Sequence, residues 1–237
     1  QKQKIKNIIE KNQIDSVIHL AGNLIIEEGE KKPNKYYKNN VLGTKILVSA
    51  CVEAGVKNFL FSSTAAVYKD KLFKVTEKSP TKPKSVYGKT KLLAEKMIKK
   101  ECKKNGINFG ILRYFNVVGS SPSGKLGLIN RGDHLFKNFS IQALKKKPVF
   151  KIYGVNYKTT DGSCIRDFIH ISDIAEIHYK VLRKIDKISE SIILNCGYSE
   201  GISVKQVANK FAECSKKKSK IIAVQKRKGD LAQIIAI

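Results

Sequence analysis

Residues 85–115 read SVYGKTKLLAEKMIKKECKKNGINFGILRYF, a helix that runs through one tight turn into a strand. Ser85 is placed to cap the helix by accepting a bond from a first-turn amide. Gly106 is placed to stop it, because glycine enters the left-handed turn without strain. INFGILRYF, 107–115, is a nearly continuous apolar run, the pattern of a strand buried on both faces. A strand of that kind needs helices on either side, so this stretch predicts an α/β fold with a parallel sheet.

The upstream sequence repeats the unit. SVIHLAG (16–22) and KNFLFSST (57–64) read as buried strands. Between them YYKNNVLGTKILVSACVEAG (36–55) predicts a helix with Val41, Leu42, Ile46, Leu47, Cys51 and Ala54 inward and a stop at Gly55. After Tyr114 the texture changes, and NVVGSSPSGKLGLINRGDH (116–134) reads as a long loop of the kind tied to binding. Then come a helix near 134–145, a strand VFKIYG (149–154), a loop around TTDGSCIRD (159–167) and a helix after Ser172. A strand SIILNCG (191–197), a helix capped by Ser203 and a strand SKIIAV (219–224) complete the pattern. The expected division is 1–116, carrying the first sheet, and 117–237, a smaller α/β region with some segments returning to that sheet.

Composition narrows the function classes. Hydrophobic residues at 42% and charged ones at 28% are ordinary for a globular chain of 237 residues. No run of about eighteen apolar residues suggests a membrane span. The net charge of +26 invites a nucleic-acid reading. The lysines, however, fall in scattered runs such as KKECKK, LKKKP and CSKKKSK, without the interleaved aromatics that base stacking needs. The five cysteines are odd in number and far apart, with no C-x-x-C or Cys/His cluster, so no metal site is expected and a reducing cytoplasm is.

Tyr87 and Lys91 are four apart on the predicted helix, hence on one face. An ammonium there would favour phenolate and so provide a general base. Chance is a live alternative, since 9 Tyr among 46 Lys+Arg yield roughly one or two such pairs, and Tyr179 with Arg183 is another. Position adds weight. In open α/β sheets ligands bind beyond the carboxyl ends of the strands. Those ends are HLAG (19–22), FSST (61–64) and RYFN (113–116), and the Tyr87 helix starts between the last two.

VIHLAG, YYKNNVLGT, NFLFSSTAAVY, SVYGKTKLLAE, ILRYFNVVG, DGSCIRDFIHISDIA and RKGDL follow one another from Val17 to Asp230. In that order and spacing they resemble the UDP-glucose 4-epimerase family, within the NAD-dependent epimerase/dehydratases of the extended short-chain dehydrogenase/reductase group. The resemblance implies a Rossmann-like, doubly wound parallel sheet that binds NAD, with a smaller C-terminal region for a UDP-sugar. It puts the catalytic base on Tyr87, its partner on Lys91 and the strand-end hydroxyl on Thr64. Cofactor contacts fall on Leu20, Ala21, Gly22, Asn39, Thr64, Tyr87, Lys91 and Phe115; substrate contacts fall on Asn116, His134, Arg166, Arg227 and Asp230. His134, where some relatives carry Asn, is either a substrate contact or structural, and an arginine beside an aspartate, as at 166–167, is usually a surface ion pair. The implied reaction interconverts UDP-galactose and UDP-glucose through a 4-keto sugar, with Lys91 lowering the tyrosine pKa. Relatives pair through a helix bundle, so a homodimer is the implied full-length state.

Two departures from the pattern matter. None of the 16 glycines makes the family's G-x-x-G-x-x-G loop. Roughly sixty residues, the first two βα units, are therefore expected to lie before Gln1, with further helices after Ile237, making this an internal fragment. Ile234 lies where some members place a tyrosine that crowds the sugar, which leaves UDP-N-acetylhexosamines as alternative substrates. A sugar-nucleotide dehydratase is disfavoured because Ala65 and Ala66, not an acid, follow Thr64. A basic nucleic-acid-binding protein and a non-catalytic nucleotide-sugar sensor are the rivals from other classes.

Overall fold

The structure is a computed structural model, and it describes residues 1–70, 73–129, 134–227 and 230–237. In chain order the elements begin with α1 (Lys2–Lys11), β1 (Ser16–His19), α2 (Ile26–Lys31), α3 (Pro33–Tyr36), a π-helical turn (Tyr37–Gly43) and α4 (Thr44–Glu53). Then follow β2 (Asn58–Thr64), β3 (Lys74–Val75), α5 (Val86–Lys104), β4 (Asn108–Tyr114) and β5 (Asn116–Val118). The rest are α6 (Leu135–Leu144), β6 (Val149–Tyr153), β7 (Ile165–Arg166), β8 (Phe168–His170), α7 (Ile171–Ile188), β9 (Ile192–Cys196), β10 (Ile202–Ser203), α8 (Val204–Ser215), β11 (Lys220–Val224) and β12 (Gln233–Ala236).

The chain divides into two compact units, the first comprising residues 1–70, 77–114 and 175–196. Its sheet is parallel throughout, in the order β1-β2-β4-β9, as the apolar strands predict. Phe59, Phe61, Ile98, Cys102, Phe109 and Ile111 sit in its core. The capped helix of the opening stretch forms as read. The Ser85 hydroxyl accepts the Gly88 amide at 3.1 Å, and Gly106 ends the turn after α5 at φ +67°.

The helix at 36–55 differs from its expectation. Leu42 is exposed, and Asn40 and Thr44 are buried in its place. The cause is the π-helical turn, whose wider hydrogen-bonded loop rotates the following residues around the axis. Cys51 stays inward, and Leu47 and Ala54 pack partly against the core.

The second unit comprises residues 71–76, 115–174 and 197–237, less those outside the description. It contains the order β10-β7-β12-β3 and the parallel pairs β11-β6 and β5-β8. Phe139, Phe150, Phe168 and Phe211 cluster in its core, with ring centroids of Phe139 and Phe150 5.2 Å apart. The expected loop at 116–134 instead opens with β5, whose main chain is taken up by β8. Its residues 130–133, and Lys228 and Gly229 of RKGDL, lie outside the described residues. Among those described, no helix is long and apolar enough to cross a membrane.

Candidate active site

At the end of β2 the Thr64 hydroxyl accepts the Ala66 amide at 3.2 Å, capping a short turn over Ala65–Val67. The start of α5 is pressed against that turn. A Cβ on Gly88 would lie 2.3 Å from the Ala66 carbonyl oxygen and 2.8 Å from Pro83 Cβ, so only glycine allows the approach. Glu30 fixes the helix entry by accepting the Val86 amide at 2.8 Å. Tyr87, half-buried on the first turn, is thereby brought beside the Thr64 hydroxyl, which favours the ionised phenol.

Lys91 lies one turn further along and is only 5% exposed. Its ammonium stands 4.1 Å from the centroid of the Phe61 ring and meets no hydrogen-bond acceptor among the described residues. Burial pushes it down to about 8, opposed by the Glu95 carboxylate. The expectation that Lys91 lowers the Tyr87 phenol is not met. Desolvation raises the phenol, and the nearby Thr64 hydroxyl offsets only part of the rise. Burial, with Lys91 nearby, also pushes His19 down to about 4, so its imidazole is neutral and bonded to the Thr44 hydroxyl at 2.9 Å.

The residues expected to hold NAD fall in several places. Leu20 and Ala21 are exposed in the segment after β1, and Asn39 is exposed on the π-helical turn. A Cβ on Gly22 would come within 3.4 Å of Asn40 Oδ1 and 3.9 Å of Lys91 Nζ, a space kept clear beside a buried donor. Phe115, in the second unit, is buried immediately after β4. The unsatisfied ammonium, the cleared space at Gly22 and the hydroxyls of Thr64 and Tyr87 suit the ribose and nicotinamide end of a dinucleotide.

Asn40 was not anticipated. It is 2% exposed, accepts the Asn23 amide at 2.8 Å, and donates to the Asn23 carbonyl at 2.9 Å and to Thr90 Oγ1 at 3.1 Å. Thr90 in turn donates to the Tyr87 carbonyl at 2.8 Å. One amide thus joins the segment after β1 to the helix between Tyr87 and Lys91. An asparagine at an expected helix interior was the available signal, because such a residue favours local backbone bonds over plain helix.

In the second unit, the five residues expected to bind substrate all line one cavity of about 190 Å³. His134 Nε2 donates to the Val117 carbonyl at 3.0 Å, which leaves its buried Nδ1 as an acceptor without a partner among the described residues. Arg166 and Asp167 do not form the surface pair that their adjacency suggests. Asp167 is fully buried and accepts the amides of Tyr198, Ser199 and Ala236, whereas Arg166 lines the cavity. The Arg227 guanidinium lies 4.1 Å from the centroid of the Tyr153 ring. Asp230 supplies a carboxylate to the lining.

Lys151 and Tyr153 also line this cavity and were missed. The alternation of β6 held the signal: Phe150 and Ile152 face the core, so Lys151 and Tyr153 share the other face. Ile234 is buried in β12, in register with Arg166, and is not part of the lining. Among the described lining residues, Lys151, Arg166 and Arg227 against the Asp230 carboxylate favour an anion with spread charge, such as a diphosphate.

Residues 1–197 match the NAD dependent epimerase/dehydratase family. A UDP-glucose 4-epimerase of Azospirillum brasilense is 36% identical over 234 residues, covering 98% of this chain and 67% of the relative. Among solved structures, a UDP-glucose 4-epimerase from Stenotrophomonas maltophila, with bound NAD and formylated UDP-arabinopyranose, superposes with a TM-score of 0.94 at 30% identity. That match covers 100% of this chain and 71% of the other. The UDP-Glc/GlcNAc 4-epimerase of Campylobacter jejuni matches with a TM-score of 0.80 at 34% identity, over 100% of this chain and 72% of the other.

Proposed function

The chain belongs to the NAD dependent epimerase/dehydratase family, and from that premise we propose that it takes part in the 4-epimerisation of a UDP-hexose, UDP-galactose to UDP-glucose, through a 4-keto sugar. The observation that carries the reading is Tyr87 beside the Thr64 hydroxyl, with the buried Lys91 one turn along the same helix. NAD, when bound, supplies the acceptor and then the donor of the C4 hydride.

Tyr87 takes the proton of the C4 hydroxyl and later returns it. Thr64 stabilises the phenolate by donating to it and also bonds the reacting oxygen. Tyr87 occupies the first turn of a 19-residue helix, where backbone amides favour negative charge. Lys91 holds the ribose hydroxyls beside the space at Gly22, and Asn39 lies on the turn that flanks it. In the second unit Arg166, Arg227 and Lys151 hold the diphosphate, Tyr153 offers a face to the base, and His134 Nδ1 accepts from a ligand donor. The buried, free thiols of Cys51, Cys102, Cys164 and Cys196 suit a reducing, cytoplasmic setting.

A second substrate class, UDP-N-acetylhexosamine, is favoured by the likeness to an epimerase described as acting on both UDP-Glc and GlcNAc sugars. The test uses the product of the complete reading frame, supplied with NAD and UDP-galactose and followed by proton NMR. Formation of UDP-glucose, lost in Tyr87→Phe, is expected. Folded, NAD-loaded protein that converts UDP-N-acetylgalactosamine but not UDP-galactose would move the assignment to the second class.

A further inference from the structure

Glu95 is a fully buried carboxylate for which the reaction above has no use. It lies one helical turn beyond Lys91 on α5, so the two share a face. Ser63, on β2, donates to its Oε1 at 2.5 Å. Arg113, on β4, donates through Nε to Oε1 at 3.0 Å and through Nη2 to Oε2 at 2.8 Å. Lys99 Nζ stands 4.0 Å from Oε2. One carboxylate therefore holds two adjacent strands to the helix that carries Tyr87 and Lys91, and its β2 partner is the residue before Thr64.

Stability alone does not call for this arrangement, because well-packed apolar residues commonly replace a buried ion pair without loss. What the pair and the serine add is direction: a slip of β2 along α5 would break the short Ser63 bond before it disturbed the apolar packing. We propose that Glu95 is a positioning residue for the Thr64–Tyr87–Lys91 set, tying the end of β2 to α5 through Ser63 and keeping a negative charge one turn from the Lys91 ammonium. The inference rests on the proposed function for its activity readout only.

The charges around Lys91 are few. On its own helix are Tyr87 and Glu95, with Lys99 and Arg113 on the far side of the carboxylate. From β1 comes His19, held neutral; from the π-helical turn comes Asn40, which is uncharged. From α2 and α3, Glu28 accepts from the Tyr36 hydroxyl and pairs with Lys35, and Glu30 caps the helix entry. Glu95 is therefore the carboxylate that sustains the Lys91 charge against burial.

The test compares Glu95→Gln and Ser63→Ala in the product of the complete reading frame, each checked for native circular dichroism. Because a displacement of about 1 Å costs on the order of 100-fold in rate, both variants are expected to lose at least about tenfold in kcat with KM for the UDP-sugar nearly unchanged. Two measurements do not depend on turnover. In spectra of lysine side-chain amines, Lys91 (identified by its loss in Lys91→Arg) titrates at lower pH in Glu95→Gln and at the wild-type pH in Ser63→Ala. In ring-labelled tyrosine spectra, Tyr87 (identified by its loss in Tyr87→Phe) shifts in Ser63→Ala. A Ser63→Ala protein with wild-type kcat and an unmoved Tyr87 signal overturns the proposal. If the wild type converts no UDP-sugar, the two spectra still decide it, so its failure and that of the epimerase reading are separable. If Glu95→Gln does not fold, Ser63→Ala, which leaves the Glu95–Arg113 pair in place, decides alone.

Discussion

The ammonium of Lys91 lies over the face of Phe61, 4.1 Å from the ring centroid, at a position that is 5% exposed. A cation on an aromatic face is attracted by the ring, but the same contact excludes the water that would otherwise solvate it. Lys91 is thus a charge that the fold tolerates at a cost.

That cost has a pH signature. Folded Lys91 loses its proton near 8, against 10.5 for the ordinary side chain. Between those values the unfolded chain binds the additional proton, so stability rises with pH; below 8 the full cost is present. Lys91→Met is expected to be more stable than wild type at pH 7 by roughly 1–3 kcal/mol, and inactive. Urea unfolding at pH 7 and 9.5 checks this. Equal gains at both pH values would contradict the depressed ammonium.

Gly88→Ala brings a methyl group to 2.3 Å from the Ala66 carbonyl oxygen, a backbone atom that cannot rotate away. An alanine ordinarily stabilises a helix by up to about 1 kcal/mol relative to glycine. Here the sign reverses: the variant is expected to lose about 1–3 kcal/mol by overpacking and to separate Tyr87 from Thr64, lowering kcat more than KM. Thermal unfolding and steady-state kinetics on the same preparation test both parts.

Asn40→Ala strands the Asn23 amide and carbonyl, which it bonds at 2.8 and 2.9 Å. A loss of about 2–4 kcal/mol is expected, since each buried polar group left unpaired costs on the order of 1–3 kcal/mol. Asn40→Asp keeps the acceptor for the Asn23 amide but not the donors to Asn23 and Thr90. It should retain more stability than alanine yet lose bound NAD. Denaturation midpoints and the NAD content of the purified variants separate the two effects.

Arg227 and Lys151 should contribute differently to nucleotide binding. Arg227→Lys keeps the charge but gives up the planar contact with Tyr153, and is expected to weaken UDP binding by about tenfold. Lys151→Ala removes an exposed charge, so its effect should be about threefold at low salt and fade as salt rises. Calorimetric titration with UDP at two ionic strengths distinguishes them, and an Arg227→Lys effect that vanishes with salt would argue against the stacked role.

Local sequence determined the repeating frame. The apolar runs at 57–64 and 107–115 could only be buried strands, Ser85 and Gly106 bracket α5 through their own backbone preferences, and Tyr87 and Lys91 share a face because a helix turns every 3.6 residues. The order of motifs singled out five positions as expected substrate contacts, and one cavity of the second unit is lined by all five. Tertiary structure decided the rest. Whether Lys91 would lower the phenol or itself be lowered depends on how much water burial removes, which no spacing reports. Asn40 turned inward and Leu42 outward because a π-helical turn shifts the helical phase, and that turn answers to partners 17 and 50 residues away in the chain. Asp167 left Arg166 to the cavity because distant backbone amides claimed its carboxylate. Periodicity fixes which side of an element a residue occupies; desolvation and long-range hydrogen bonds, set only when the elements meet, fix what its side chain does there.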